Sequence, residues 1–429
     1  MSVISSADDG ASKLEVAALV SLMGLVAALQ ISIAASGILL TITLALWVAL
    51  LVIERERPAA PPFFGALVVY AAMTMVAVAF SLDRGISIVD SKEVLLFLVV
   101  PVVYRLARGQ RAQTVATIIV TVGAASAVFG VVQYSILEYD NLGQRPRGAM
   151  GHYMTYSGLL VLVTALAGGR LLFDRRERIW SGLVMPALLV ALALTLTRSA
   201  WVGACTALGL LFVIKDLRLI AVVPVLAALF FAFAPPQLTD RLYSTFDLQD
   251  PTNRDRFAMA RAGVRMVRDH PLTGVGPDVV KEVYPQYRDT NAVQDNNPHL
   301  HNVPLHIAAE RGLPALVVWL GFLALVVRSL IGRLRSRDTT ALAAAGLAAV
   351  AGMLTAGMFE YNFGDSEFLM LFLVLITLPF AAAHHSGAAH PDGAHDATSR
   401  TSGPGTAPET SSVEHAPRGS SAREPAIRE

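Results

Sequence analysis

The chain has one cysteine in 429 residues, Cys205, so no intrachain disulfide can form and no set of thiolates exists for a structural zinc. Charge is also scarce. Only 16% of residues are Asp, Glu, Lys or Arg, and they nearly cancel at a net of +1, which argues against a nucleic-acid partner. The apolar runs are continuous rather than alternating, which removes a membrane β-barrel, and no internal repeat stands out. What is present is apolar: 54% of residues are hydrophobic and mean hydropathy is +0.54. Uninterrupted runs of roughly 16 to 25 residues recur, about the length that crosses a hydrocarbon core as a helix. Lipid offers no partner to backbone amides, so helices are the spanning solution and the fold class expected is an all-α polytopic membrane protein.

About twelve spans are expected, at roughly 14–30, 37–53, 63–80, 93–107, 112–134, 153–172, 180–197, 199–214, 218–234, 304–327, 340–358 and 368–383. Alternate short connections carry Arg55 and Arg57; Arg105, Arg108 and Arg111; Arg170, Arg175, Arg176 and Arg178; Lys215 and Arg218; and Arg328, Arg333, Arg335 and Arg337. By the positive-inside rule these face the cytoplasm, so both termini are expected there. The opposite connections carry chiefly Arg84, Lys92, Arg145 and Arg147, and the long polar loop 235–303 shares their side. Residues 14–30 followed by Ala34-Ala35-Ser36 have the form of a signal peptide, but the only cation ahead of them, Lys13, stands among acids, and an uncleaved first span is the preferred reading. Cys205 falls mid-span, where a small buried apolar residue is expected. The stretch 384–429 is too polar to bury a core and is expected to be a disordered cytoplasmic tail, whose spaced histidines could bind metal.

The loop 235–303 is the one long polar segment within the apolar part of the chain. From Asp250-Pro251-Thr252-Asn253-Arg254-Asp255-Arg256 it begins as a capped helix, which runs until His270-Pro271 stops it. At about 100° per residue, Arg254, Arg261, Arg265 and Arg268 share one face, read as solvated or facing lipid headgroups. Arg256 falls opposite, near Ala260, Gly263 and Val267, where an arginine must find an anion: either a ligand or a structural salt bridge. Thr273-Gly274-Val275-Gly276-Pro277 predicts a tight turn; it lacks the third glycine and preceding strand of a dinucleotide fingerprint, so a structural role is favoured over phosphate binding. His299 and His301 stand one residue apart before Pro304. With no thiolate and only His306 nearby at helical spacing, zinc is disfavoured; a neutral imidazole suits a general base, and Asn302 could orient it. Arg198 interrupts an apolar stretch on the same side, as a functional group or a snorkelling interface arginine. With Arg145 and Arg147, basic groups from at least three distant places share the surface of His301, a pattern that fits a pyrophosphate held by arginines beside a base.

These residues resemble the Wzy_C region of the O-antigen ligase and polymerase family. The resemblance is carried by Asn253-Arg254-Asp255-Arg256, by Asp269-His270-Pro271-Leu272-Thr273-Gly274-Val275-Gly276, by His299-Leu300-His301-Asn302 and by Glu310-Arg311-Gly312-Leu313. Thr197-Arg198-Ser199 with Trp201, and Arg147-Gly148 with Gly151-His152, resemble further family elements. It covers roughly residues 140–330, and the earlier spans match only as apolar helices. The resemblance implies a metal-independent, cofactor-free glycosyltransferase of the multispanning GT-C type in the bacterial inner membrane. Such an enzyme would move a glycan from undecaprenyl pyrophosphate to an acceptor hydroxyl, such as lipid A core, at the periplasmic face. It implies His301 as the base and Arg198 and Arg256 as the pyrophosphate clamp, with Arg254 as the other local match to Arg256. Arg254, Arg147, His299 and Asn302 are taken as substrate-binding. Membrane lipids are the remaining partner.

A polymerase joining lipid-linked repeat units, or transfer to protein, would need the same base and clamp. A lipid-carrier transporter suits twelve spans but would carry charged residues within them, whereas here they gather at one face. A non-catalytic scaffold would leave Arg198 and His301 without a reason.

Overall fold

The computed structural model describes residues 13–383 apart from 246, 248, 290, 291, 337 and 338. Among them there is no strand. The helices in chain order are α1 (Lys13–Ala28), α2 (Ile33–Ile53), α3 (Phe64–Ala79), α4 (Arg84–Asp90), α5 (Val99–Leu106), α6 (Gln110–Ser135), α7 (Tyr153–Phe173) and α8 (Arg178–Leu194). They continue with α9 (Arg198–Lys215), α10 (Val222–Phe233), α11 (Pro236–Tyr243), α12 (Pro251–Asp269), α13 (Val280–Tyr287), α14 (Val303–Arg333), α15 (Thr340–Ala356) and α16 (Ser366–Ala382). The tail from His384 onward, with its spaced histidines, and Arg337 lie outside or between the described segments.

Every expected span overlies helix. Five helices, α2, α6, α7, α9 and α14, are long and apolar enough to cross a membrane by length and composition. Four more, α3, α8, α15 and α16, are apolar but shorter. The stretch expected as one span at 93–107 is instead the 3-10 segment Ser91–Leu98 followed by the short α5. The outward faces are themselves apolar: Ile38, Val52, Val68, Leu183 and Val202 are exposed. A polytopic membrane protein requires that inversion, because its solvent is hydrocarbon. Cys205 was expected buried but lies exposed on α9, on the face that a bilayer rather than a core would cover.

α7, α15 and α16 form the centre. α16 is buried from Glu367 to Ala382, and α15 is buried along most of its length. α15 is built from small residues, which lets backbones approach where lipid tails give helices no hydrophobic reason to associate. A Cβ on Gly203 of α9 would sit 2.9 Å from the Gly352 carbonyl oxygen of α15, and one on Gly169 of α7 would sit 2.8 Å from that of Ala341. Buried charge is not confined to the loops, since Arg170 in α7 and Glu310 and Arg311 in α14 are all buried. Charged groups inside helices are therefore present, contrary to the expectation that they gather only at one face.

α14 was expected as one continuous span from 304, but it is broken at Gly312, whose φ is +80°. Pro314 has no N–H to give the Glu310 carbonyl, and the Leu313 N–H donates instead to Pro271 O at 2.8 Å. The carbonyls freed at Ala309 and Glu310 accept from Val275 N–H at 2.8 Å and Gly276 N–H at 3.0 Å. The glycine turn after α12 thus acts as a cap for a broken helix. The N-terminal end of α14 is tied further: Val303 N–H donates to Gly357 O at 2.7 Å, and Asn302 Nδ2 to Met358 O at 3.1 Å. The first turns of α14 are thereby held against both the loop 270–277 and the connection between α15 and α16.

A Cβ on Gly312 would collide with the Leu272 carbonyl, in a backbone region that side chains resist. Gly312→Ala should therefore destabilise the protein by about 1–3 kcal/mol, read as a lowered unfolding temperature in detergent. An unchanged melting temperature would show that the break tolerates a side chain.

Candidate active site

α12 starts where Asp250 accepts the N–H groups of Thr252 at 2.9 Å and Asn253 at 3.3 Å, with Pro251 at its first position. Its apolar stripe, Ala258, Met259, Ala262, Gly263 and Met266, is buried; a Cβ on Gly263 would press on Leu300 and Leu305 of the adjoining segment. Arg254, Arg261, Arg265 and Arg268 are exposed on the other face. Arg261 pairs with Asp289 at 2.6 Å, and Arg265 donates to the Tyr287 carbonyl.

Arg256 turns inward to a cavity of about 270 Å³, also lined by Arg145, Tyr153, Arg198, Arg241, Asn297 and His301. The first turn of α9 delivers Arg198, which is 6% exposed; Nη1 donates to Ser244 Oγ at 3.3 Å, Nη2 donates to Asn253 Oδ1 at 3.2 Å, and Asp250 lies 3.6 Å away. A second cavity of about 300 Å³ lies against the first and shares Arg198, Arg256 and His301 with it. Its other walls are largely apolar: Val202, Phe257, Ala260, Leu300, Met358 and Phe359. The three shared side chains come from α9, α12 and the segment before α14, and together they divide an arginine-rich chamber from an apolar groove.

His301 has φ +48°, a left-handed conformation that few residues other than glycine adopt without strain. Its Nδ1 stands 2.9 Å from Oε1 of Glu360, in the connection after α15. Oε1 also accepts the Tyr361 N–H at 3.0 Å. Burial alone would raise the Glu360 carboxyl, but His301, the Tyr361 N–H and the charge of Arg256 hold it below its ordinary value. Among the described residues Nε2 of His301 makes no hydrogen bond, and a proton taken there would create an imidazolium facing a carboxylate. Burial lowers the Arg256 guanidinium, partly opposed by Glu360. Among the described residues Arg256 forms no ion pair.

The remaining sequence-derived residues divide. Asn302 caps α14, accepting the Leu305 N–H at 2.9 Å, and lines the apolar groove. Arg254 is exposed and lines neither cavity. Arg147 is exposed beside Tyr139, 5.8 Å from its ring, and it is Arg145 that reaches the chamber. His299 lines neither cavity and packs against Tyr361 at 5.2 Å and His306 at 5.7 Å between ring centroids. Among the described residues no group of three or more His, Cys, Asp or Glu side chains could hold a metal ion. Glu360 and Arg241 were not found from the sequence. Glu360 shares its short connection with Asp365, Glu367 follows in the first turn of α16, and only the fold selects which acid meets the histidine.

Residues 183–320 match a family model described as O-Antigen ligase, Wzy_C. That match assigns the segment from α8 into α14 to the O-antigen ligase family and indicates an enzyme of the ligase or polymerase type. It spans Arg198, Arg256 and His301 but ends before Glu360. No curated protein matches the chain.

Burial, then the neighbouring His306 and His301, push the His299 imidazole down to about 4 from 6.5. Between those values the unfolded chain binds a proton that the folded one refuses, so the stability contribution is full above about pH 6.5 and is lost as pH falls through about 4. His299→Gln should flatten the stability profile in that window by a few kcal/mol, on the order of 3. Parallel wild-type and variant unfolding curves from pH 7 to 4 would contradict this.

Proposed function

We propose that this protein, whose segment 183–320 falls in the O-antigen ligase family, is a membrane glycosyltransferase acting on a lipid-linked glycan. In this reading it transfers the glycan from undecaprenyl pyrophosphate to an acceptor hydroxyl of lipid A core at the periplasmic face of the inner membrane. The observation that carries the reading is the wall formed by Arg198, Arg256 and His301, with an apolar groove on one side and an arginine-rich chamber on the other. A polyprenyl chain suits the groove, a pyrophosphate suits the two guanidiniums at the wall, and the sugar suits the polar chamber.

Pyrophosphate is a good leaving group, so the barrier falls if its developing charge is met by fixed cations and the acceptor loses its proton as it attacks. His301 Nε2 removes the acceptor proton, the acceptor oxygen bonds to the anomeric carbon, and the carbon–oxygen bond to phosphate breaks with its electron pair leaving on phosphate. Arg198 and Arg256 hold the pyrophosphate. The Glu360 carboxylate, 2.9 Å from Nδ1, stabilises the imidazolium that results. These steps need no metal ion.

The deciding experiment offers purified protein an undecaprenyl-pyrophosphate glycan together with either lipid A core or a second carrier-linked unit. Glycan on lipid A core is expected; elongated carrier-linked glycan would make the protein a polymerase, and neither product would reject glycosyl transfer. His301→Ala should reduce transfer by at least about 100-fold while the protein stays folded and inserted. Arg198→Lys should lose on the order of 100-fold, because a point charge cannot form the guanidinium's fork. Near-normal activity of Arg198→Lys would make Arg198 an interface anchor only.

A further inference from the structure

Two cations in the chamber are not used by that mechanism. Arg241 of α11 is 9% exposed, its closest carboxylate is Asp250 at 3.9 Å, and its Nε–H reaches the Leu196 carbonyl only at 3.5 Å. Arg145 lies over the Tyr153 ring at 4.3 Å, and its Nε is buried with no acceptor. Among the described residues Arg145 forms no ion pair. The acid that lines the chamber, Asp255, is committed to the N–H groups of Val293 at 3.2 Å and Gln294 at 3.3 Å and to the Asn297 amide at 3.3 Å. Sheltered guanidiniums with such poor partners cost stability unless an anion joins them. The crowding also shows in Arg241, which burial and then Arg198 and Arg145 bring down to about 10.

Their position gives them a direction. Arg198 and Arg256 line both cavities, whereas Arg145 and Arg241 line only the chamber. In a donor whose lipid lies in the groove and whose sugar lies in the chamber, the phosphate nearer the sugar is the one that projects toward Arg145 and Arg241. We propose that Arg145 and Arg241 are catalytic residues that receive the charge developing on the sugar-proximal phosphate, and that they thereby distinguish the leaving polyprenyl pyrophosphate from the intact donor. This inference rests on the glycosyl-transfer reading above.

The charge balance follows from the bond that breaks. In the donor each phosphate is esterified and carries one negative charge. When the anomeric carbon–oxygen bond breaks, its electron pair stays on the sugar-proximal phosphate, which becomes terminal and titrates a second time with a pKa of about 6. The acceptor proton resides on His301. A contact made only with that added charge accelerates the reaction without tightening donor binding.

The test uses the full chain in nanodiscs, as wild type, Arg145→Gln, Arg241→Gln and the double variant. It measures kcat and KM for an undecaprenyl-pyrophosphate glycan, and inhibition by farnesyl pyrophosphate against farnesyl monophosphate. Wild type should be inhibited at least about tenfold more strongly by the pyrophosphate. Each single variant should lose about tenfold or more in kcat with KM within about twofold, together with most of the preference for pyrophosphate. Should Arg241→Gln fail to fold, Arg145→Gln carries the test, since its guanidinium holds no ion pair to lose. A raised KM with unchanged kcat, or an undiminished preference for pyrophosphate, overturns the proposal while leaving glycosyl transfer standing. A wild type that neither transfers glycan nor responds to farnesyl pyrophosphate overturns both.

Discussion

A helix broken in the protein interior must find hydrogen-bond partners for its freed backbone within the protein, because neither water nor lipid reaches it to supply them. The break at Gly312 imposes that constraint on α14, and the turn 270–277 meets it with the N–H groups of Val275 and Gly276. The site depends on this exchange. It docks the end of α12 against the start of α14, so that Arg256 on one and the segment carrying His301 before the other face a common space. The bond from Val303 N–H to Gly357 O then brings up the connection that holds Glu360. Two short motifs that contain glycine, 273–276 and 310–313, are in this sense one structural element.

The chamber follows a different logic, in which a surplus of one charge is left incompletely answered. Asp250 is shared between Arg198 and Arg241, and it is also the cap of α12. A single carboxylate therefore sets both where the helix begins and how the arginines are spaced. The rest of the positive field is directed into the chamber, the arrangement that the phosphorylated substrate proposed for it would use. Folding alone would favour fewer arginines or more acids there.

The sequence conveyed the helical class because apolar runs of spanning length have one physical interpretation, and it conveyed the inward direction of Arg256 because helical periodicity separates that residue from Arg254, Arg261, Arg265 and Arg268. It did not convey the break in α14, since Gly312 and Pro314 sit in a run whose composition reads as continuous. Nor could it choose Arg145 over Arg147: two residues apart in a loop, they differ only in which way the backbone turns. Cys205 was misjudged because burial inside a span and exposure to hydrocarbon demand the same kind of side chain. Glu360 needed three-dimensional proximity, because acids near helix ends also serve as caps, as Asp365 does for α16.

The backbone at His301, held with φ +48°, bears on how this segment can vary. Glycine would occupy that conformation without strain, and an imidazole occupies it at a cost of about 1–3 kcal/mol. The fold and the chemistry proposed for it thus make opposite demands on one position. Once activity no longer holds the imidazole in place, descendants of this chain would be free to relax toward glycine at position 301, as they would at other non-glycine residues with positive φ such as Leu196 at +54°.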